Sequence, residues 1–155
     1  MKRNDAEGRL TKALQKLEAN DQHLLENDLS ERCIAARLAM YLQCEFPEHS
    51  VDVEYNRRGE NVKRLHLSPE CIRRRNRKGD PPATPDIVVH TRGSESPNIL
   101  VLELKKTSNP VPRNCDQIRV HAFRDQLGYK FGALVECKTR PDEALGVSVE
   151  EWIGD

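Results

Sequence analysis

Three ionisable residues, Asp86, Glu103 and Lys105, sit at the end of two apolar runs that read as neighbouring strands. The runs are Asp86-Ile87-Val88-Val89-His90 and Ile99-Leu100-Val101-Leu102-Glu103-Leu104-Lys105. Residues 91–98 between them are rich in turn formers, so a hairpin is the natural connection. If the hairpin is symmetric about Ser94 and Glu95, Asp86 faces Glu103 directly. Side chains alternate along a strand, so Lys105 shares the face of Glu103 and Asp86. Two carboxylates placed together in a half-buried position repel one another and lose hydration, which is unfavourable without a cation. A hard divalent ion with oxygen ligands, Mg²⁺ with Mn²⁺ as substitute, answers that need. The plainer alternative is an ion pair of Lys105 with Glu103 or Asp86 at a sheet edge. In a chain with 32% charged residues, Glu-x-Lys triplets arise often by chance.

The elements that must position these groups follow from periodicity. Ile87, Val89, Leu100, Leu102 and Leu104 fill one face of the hairpin, and Val88, Val101 and Ile99 extend the charged face. Strands apolar on both faces are central strands covered on each side. Leu10, Leu14 and Leu17 predict a helix over 5–19. A second helix starts near Ser30, a good N-cap, with a stripe through Ile34, Ala35, Leu38, Tyr41 and Leu42, and ends at Phe46-Pro47. Glu31 lies on that inward stripe, although an acid in a first turn also interacts favourably with the helix dipole. Val51–Tyr55 alternates as a half-exposed strand, with a short strand expected around Val62 to Leu67. Pro85 suits a strand's first residue. A third helix is expected from Asn114 or Asp116 to Leu127, with Ile118, Ala122 and Leu127 inward and Gly128 as its stop. Strands over Phe131–Cys137 and Val147–Trp152 complete a single α/β domain over 1–155. Its core covers about 28–137, with an N-terminal helical part (1–27) and an acidic C-terminal tail (138–155) that supplies an edge strand. The expected architecture is three-layer α/β/α around a mixed sheet of four to five strands.

The net charge is zero and aromatic content is 5%, but charge is unevenly placed. Between Arg57 and Lys78 nine basic residues (Arg57, Arg58, Lys63, Arg64, Arg73, Arg74, Arg75, Arg77, Lys78) oppose two acids, whereas 141–155 holds five acids and no base. Arg57, Arg58, Arg73, Arg74, Arg75, Arg77 and Lys78 therefore form a candidate clamp for a polyanion, with a solvated surface loop as the alternative. His66, His90 and His121 are assigned structural roles, and Tyr55 and Phe123 core positions. The five cysteines (Cys33, Cys44, Cys71, Cys115, Cys137) show no zinc-ligand spacing and are expected as reduced thiols. No apolar run is long enough to cross a membrane, and the expected location is cytoplasmic.

The element order, with Pro85-Asp86 and Glu103-Leu104-Lys105, resembles the PD-(D/E)XK nuclease superfamily over roughly residues 28–137, in particular a small bacterial or phage-associated branch. The resemblance implies a restriction-endonuclease-like fold and Mg²⁺-dependent hydrolysis of phosphodiester bonds, in DNA more than RNA, leaving a 5′-phosphate. It places the motif Asp on Asp86, the motif Glu on Glu103 and the motif Lys on Lys105, with Glu31 matching a helix-borne Glu that joins the metal shell. Asp86, Glu103 and Glu31 would hold the metal, and Lys105 would contact the attacking water or the phosphate. A chain of this size implies a homodimer or a guiding protein partner. The alternative is a catalytically silent or partner-dependent nucleic-acid-binding module that retains the same fold.

Overall fold

The computed structural model describes residues 1–58, 61–62, 71, 84–94 and 97–155. Among the described residues four helices and seven strands follow in the order α1 (Arg3–Asn20), α2 (Gln22–Glu26), α3 (Glu31–Glu45), β1 (Ser50–Val53), β2 (Arg57–Arg58), β3 (Asn61–Val62), β4 (Ile87–His90), β5 (Asn98–Lys106), α4 (Asn114–Leu127), β6 (Tyr129–Lys138) and β7 (Gly146–Ile153). Five strands make one mixed sheet in the order β1-β4-β5-β6-β7, and β2 and β3 form a separate two-stranded ribbon. Only β5 and β6 run parallel, joined by the α4 crossover; the other neighbours are antiparallel. The expected mixed α/β sheet is present. The short α2, with a single buried residue, Leu25, carries too little periodicity to be read from sequence.

Local chemistry explains the main boundaries. Ser30 Oγ accepts from the Cys33 amide at 3.2 Å, satisfying an otherwise open donor at the start of α3. Gly128 ends α4 in the left-handed region at φ 72°, which a residue without Cβ adopts readily. Leu10, Leu14 and Leu17 of α1 and Ile34, Ala35, Leu38 and Leu42 of α3 pack with Ile87, Val89, Leu100, Leu102 and Leu104 in one core. A smaller cluster on the opposite face joins Val88 and Val101 to Ala122, Phe123 and Leu127 of α4. Gly132 lets α4 approach the sheet, because a Cβ there would lie 2.6 Å from Val120 Cγ1.

The hairpin register agrees with the sequence expectation over the stretch that matters. Ile87 faces Leu102, Val88 faces Val101 and Val89 faces Leu100. The pairing then slips, with His90 opposite Asn98, so Ile99 is the extra residue of a bulge. Ile99 consequently joins the α1/α3 core instead of the charged face on which simple alternation placed it. A second correction concerns α4. Ile118 is 40% exposed, while the helix buries Asp116, Arg119, Val120, Ala122, Phe123 and Leu127. A third concerns the cysteines, since Cys71 and Cys115 form a disulfide and only Cys33, Cys44 and Cys137 are free thiols. Among the described residues no helix is long and apolar enough to cross a membrane.

Candidate active site

The candidate site forms where β5 outruns its neighbour. β4 begins opposite Leu102, so Glu103 to Lys106 continue beyond the antiparallel ladder. The ladder ends at Ile87 and Leu102, and continued one step further it would set Asp86 against Glu103. The Leu104 amide donates to Asp86 Oδ2 at 2.7 Å. Two residues on, the Lys106 amide donates to Glu31 Oε2 at 3.0 Å. Alternate amides of a strand point to the same side. Asp86 and Glu31 therefore cap successive amides on one edge of β5, roughly 6.6 Å apart along the strand at about 3.3 Å per residue. Asn109 Nδ2 also donates to Glu31 Oε1, at 3.2 Å, fixing the first-turn carboxylate of α3 from a second side.

Glu103 and Lys105 project to the α4 face. Glu103 is wholly buried, and the Arg119 guanidinium lies 3.6 Å from its Oε1. Lys105 Nζ lies 3.1 Å from Asp116 Oδ2. Asp116 and Arg119 are three residues apart and so share one helix face. The second Arg119 anchor is the Thr84 carbonyl, 3.3 Å from its Nη2, and its guanidinium carbon sits 5.3 Å from the centre of the Phe123 ring. Glu103 and Lys105 are therefore buried and tied to α4, whereas Asp86 is half-buried and tied to the backbone of β5. Neither Asp116 nor Arg119 stands among the sequence candidates, because the inward stripe expected of this helix runs through Ile118, Ala122 and Leu127 alone. The available signal was that Glu and Lys on a doubly covered strand need partners on the helix above them.

Electrostatics agrees with this clustering. Burial, then the carboxylates Glu31 and Asp86, pushes the buried Cys137 thiol up to about 12. Among the described residues no three His, Cys, Asp or Glu side chains are gathered as a ready-made metal cage.

The remaining sequence candidates separate. Arg57 and Arg58 form β2, paired with Val62 and Asn61. Arg73, Arg74, Arg75, Arg77 and Lys78 lie outside the described residues, as does His66. His90 is buried, with Nε2 2.8 Å from Asp52 Oδ2, and the Tyr55 ring packs edge-on at 4.3 Å. Arg92 grips the same Asp52 carboxylate through its Nε at 2.8 Å and through Nη2. His121 is on the surface beside Glu151 at 3.4 Å, and Phe123 is buried core.

No family model, no curated protein and no solved structure matches the chain.

Proposed function

We propose that this protein is a metal-dependent nuclease of the PD-(D/E)XK type, on a restriction-endonuclease-like fold, hydrolysing phosphodiester bonds of DNA in preference to RNA. The observation that carries the reading is the hydrogen bond from the Leu104 amide to Asp86, which ties that carboxylate to the stretch of β5 bearing Glu103 and Lys105, with Glu31 on the next open amide of the same strand edge. The donor set is all carboxylate oxygen, which suits Mg²⁺ or Mn²⁺ and no soft metal. Mg²⁺ is ordinarily held by one or two carboxylates plus water and substrate phosphate, so a full protein cage is not required. Asp86 and Glu103 would hold the ion, with Glu31 at the rim. A bound ion would supply Lewis-acid stabilisation of the phosphate and a more acidic water.

The chain's own groups do the rest. The Lys105 ammonium, held by Asp116, is a directed donor for a phosphate oxygen or an attacking water. Arg57, Arg58 and the basic residues 73–78 would grip the nucleic-acid backbone without reading sequence. A second reading, a nucleic-acid-binding module without catalysis, is favoured by the ion pairs that already engage Glu103 and Lys105.

The deciding experiment incubates supercoiled plasmid with the protein and Mg²⁺. Cleavage should require the metal and fall about a hundredfold or more in Asp86→Asn, Glu103→Gln and Lys105→Met variants that remain folded. Metal-dependent cleavage that persists in all three variants would refute the site. DNA binding with neither cleavage nor Mn²⁺ uptake would establish the second reading.

A further inference from the structure

We propose that Arg119 is a further phosphate-binding residue of this site, serving as a counter-ion of Glu103 until a divalent cation displaces it towards a phosphodiester oxygen. The inference rests on the nuclease reading above and extends it to a residue that no motif assigns. Arg119 is 6% exposed, and its Nε–H is buried with no hydrogen-bond acceptor among the described residues. Its Nη2 reaches Glu103 at an ion-pair distance of 3.6 Å, longer than a hydrogen bond, and the Thr84 carbonyl at 3.3 Å. A guanidinium presents five N–H donors in a planar fork, and at least one here is unused. The fork is held over Phe123 and between the two segments that carry Asp86 and Glu103. A planar array of donors beside a carboxylate pair matches the geometry of a phosphate.

Charge gives the order of events. Lys105 lies against Asp116 and Arg119 against Glu103, so a divalent ion on Glu103 would compete with Arg119 for that carboxylate. A divalent ion held by Asp86 and Glu103 would repel the Arg119 guanidinium from Glu103. The released fork then neutralises a phosphodiester anion. Lys105, already engaged by Asp116, is the less available of the two cations.

The test uses the whole protein, Mn²⁺ titration by calorimetry, and binding of a short DNA duplex in Ca²⁺. Arg119→Lys should keep or tighten Mn²⁺ affinity, because a competitor for Glu103 is weakened, and should lower duplex affinity about tenfold. Inorganic phosphate added to the wild type should shift one buried arginine Nε–Hε resonance with Mg²⁺ present and not without it, a readout that does not depend on how the variant folds. Unchanged duplex affinity in the variant, or no arginine resonance that moves, overturns the role of Arg119. A wild type that takes up no Mn²⁺ overturns the nuclease reading and this inference together. Mn²⁺ uptake with an indifferent Arg119 overturns the inference alone.

Discussion

Lys105 Nζ stands 3.1 Å from Asp116 Oδ2, with both side chains 3% exposed, and this contact fastens the end of β5 to the first turn of α4. Two charges withdrawn from water hold each other at little net gain, but removing one strands the other at a cost of about 3–5 kcal/mol. Asp116→Ala should therefore lower Tm by roughly 10 °C in a domain of this size. The double variant Lys105→Met/Asp116→Leu should recover most of that loss, because a well-packed apolar pair replaces the ions without stranding either. Thermal melts of the three proteins decide it, and a single variant that melts like the wild type would deny the pair its burial.

Much of this site was legible in the sequence because its determinants are local. Two apolar runs separated by turn formers announced the antiparallel pair, whose register agrees over Ile87–Val89 although a bulge at Ile99 shifts it nearer the turn, and alternation put Glu103 and Lys105 on one face of β5. Ser30 and Gly128 marked helix ends through chemistry that acts within a few residues. The α4 face was not legible, since its buried positions open with Asp116 and Arg119, which hydropathy assigns to solvent. Ile118 drew the stripe to the wrong side and is in fact 40% exposed. Only the need of Glu103 and Lys105 for partners could have corrected that. The Cys71–Cys115 pairing was beyond reach for another reason, because five cysteines in sequence do not specify which of them meet.

That disulfide closes a loop of 44 residues in sequence, from the connection after β3 to the start of α4. Loop-closure entropy for such a span predicts about 4 kcal/mol of stabilisation. Cys71→Ser should accordingly lower the denaturant midpoint, and a reducing agent should do the same to the wild type while leaving the variant unchanged. Unfolded without reductant, the wild type should titrate three thiols, those of Cys33, Cys44 and Cys137. Five titrating thiols would dissolve the assignment.

Asp52 provides a pH-dependent tie at the far end of β4. The hydrogen bond from Arg92, against some opposing burial and with help from His90, lowers its pKa below the ordinary carboxylate value. A carboxyl lowered in the fold contributes stability above its unfolded pKa, about 3.9, and loses it as pH falls through the lower folded value. Urea denaturation across the acid range should show this loss below about pH 4 in the wild type. Asp52→Asn should be less stable at neutral pH and should show a shallower acid-side slope, and equal slopes in the two proteins would remove Asp52 from the account.

Asp86 and Glu31 accept from the Leu104 and Lys106 amides while also carrying the charge that the proposed chemistry needs, and the two duties can be separated. Asp86→Asn and Glu31→Gln keep an acceptor oxygen of the same shape, so the amides of β5 stay satisfied and Tm should change little. Asp86→Ala and Glu31→Ala strand those amides, at about 1–3 kcal/mol each where they are buried. Metal affinity should follow charge and not stability. Mn²⁺ binding should vanish in Asp86→Asn despite its near-native melt, and weaken without vanishing in Glu31→Gln, whose carboxylate lies one amide step further along the strand. Calorimetric titration beside thermal melts reads both quantities on the same samples. An Asp86→Asn protein that binds Mn²⁺ as tightly as the wild type would leave Asp86 as a strand cap and nothing more.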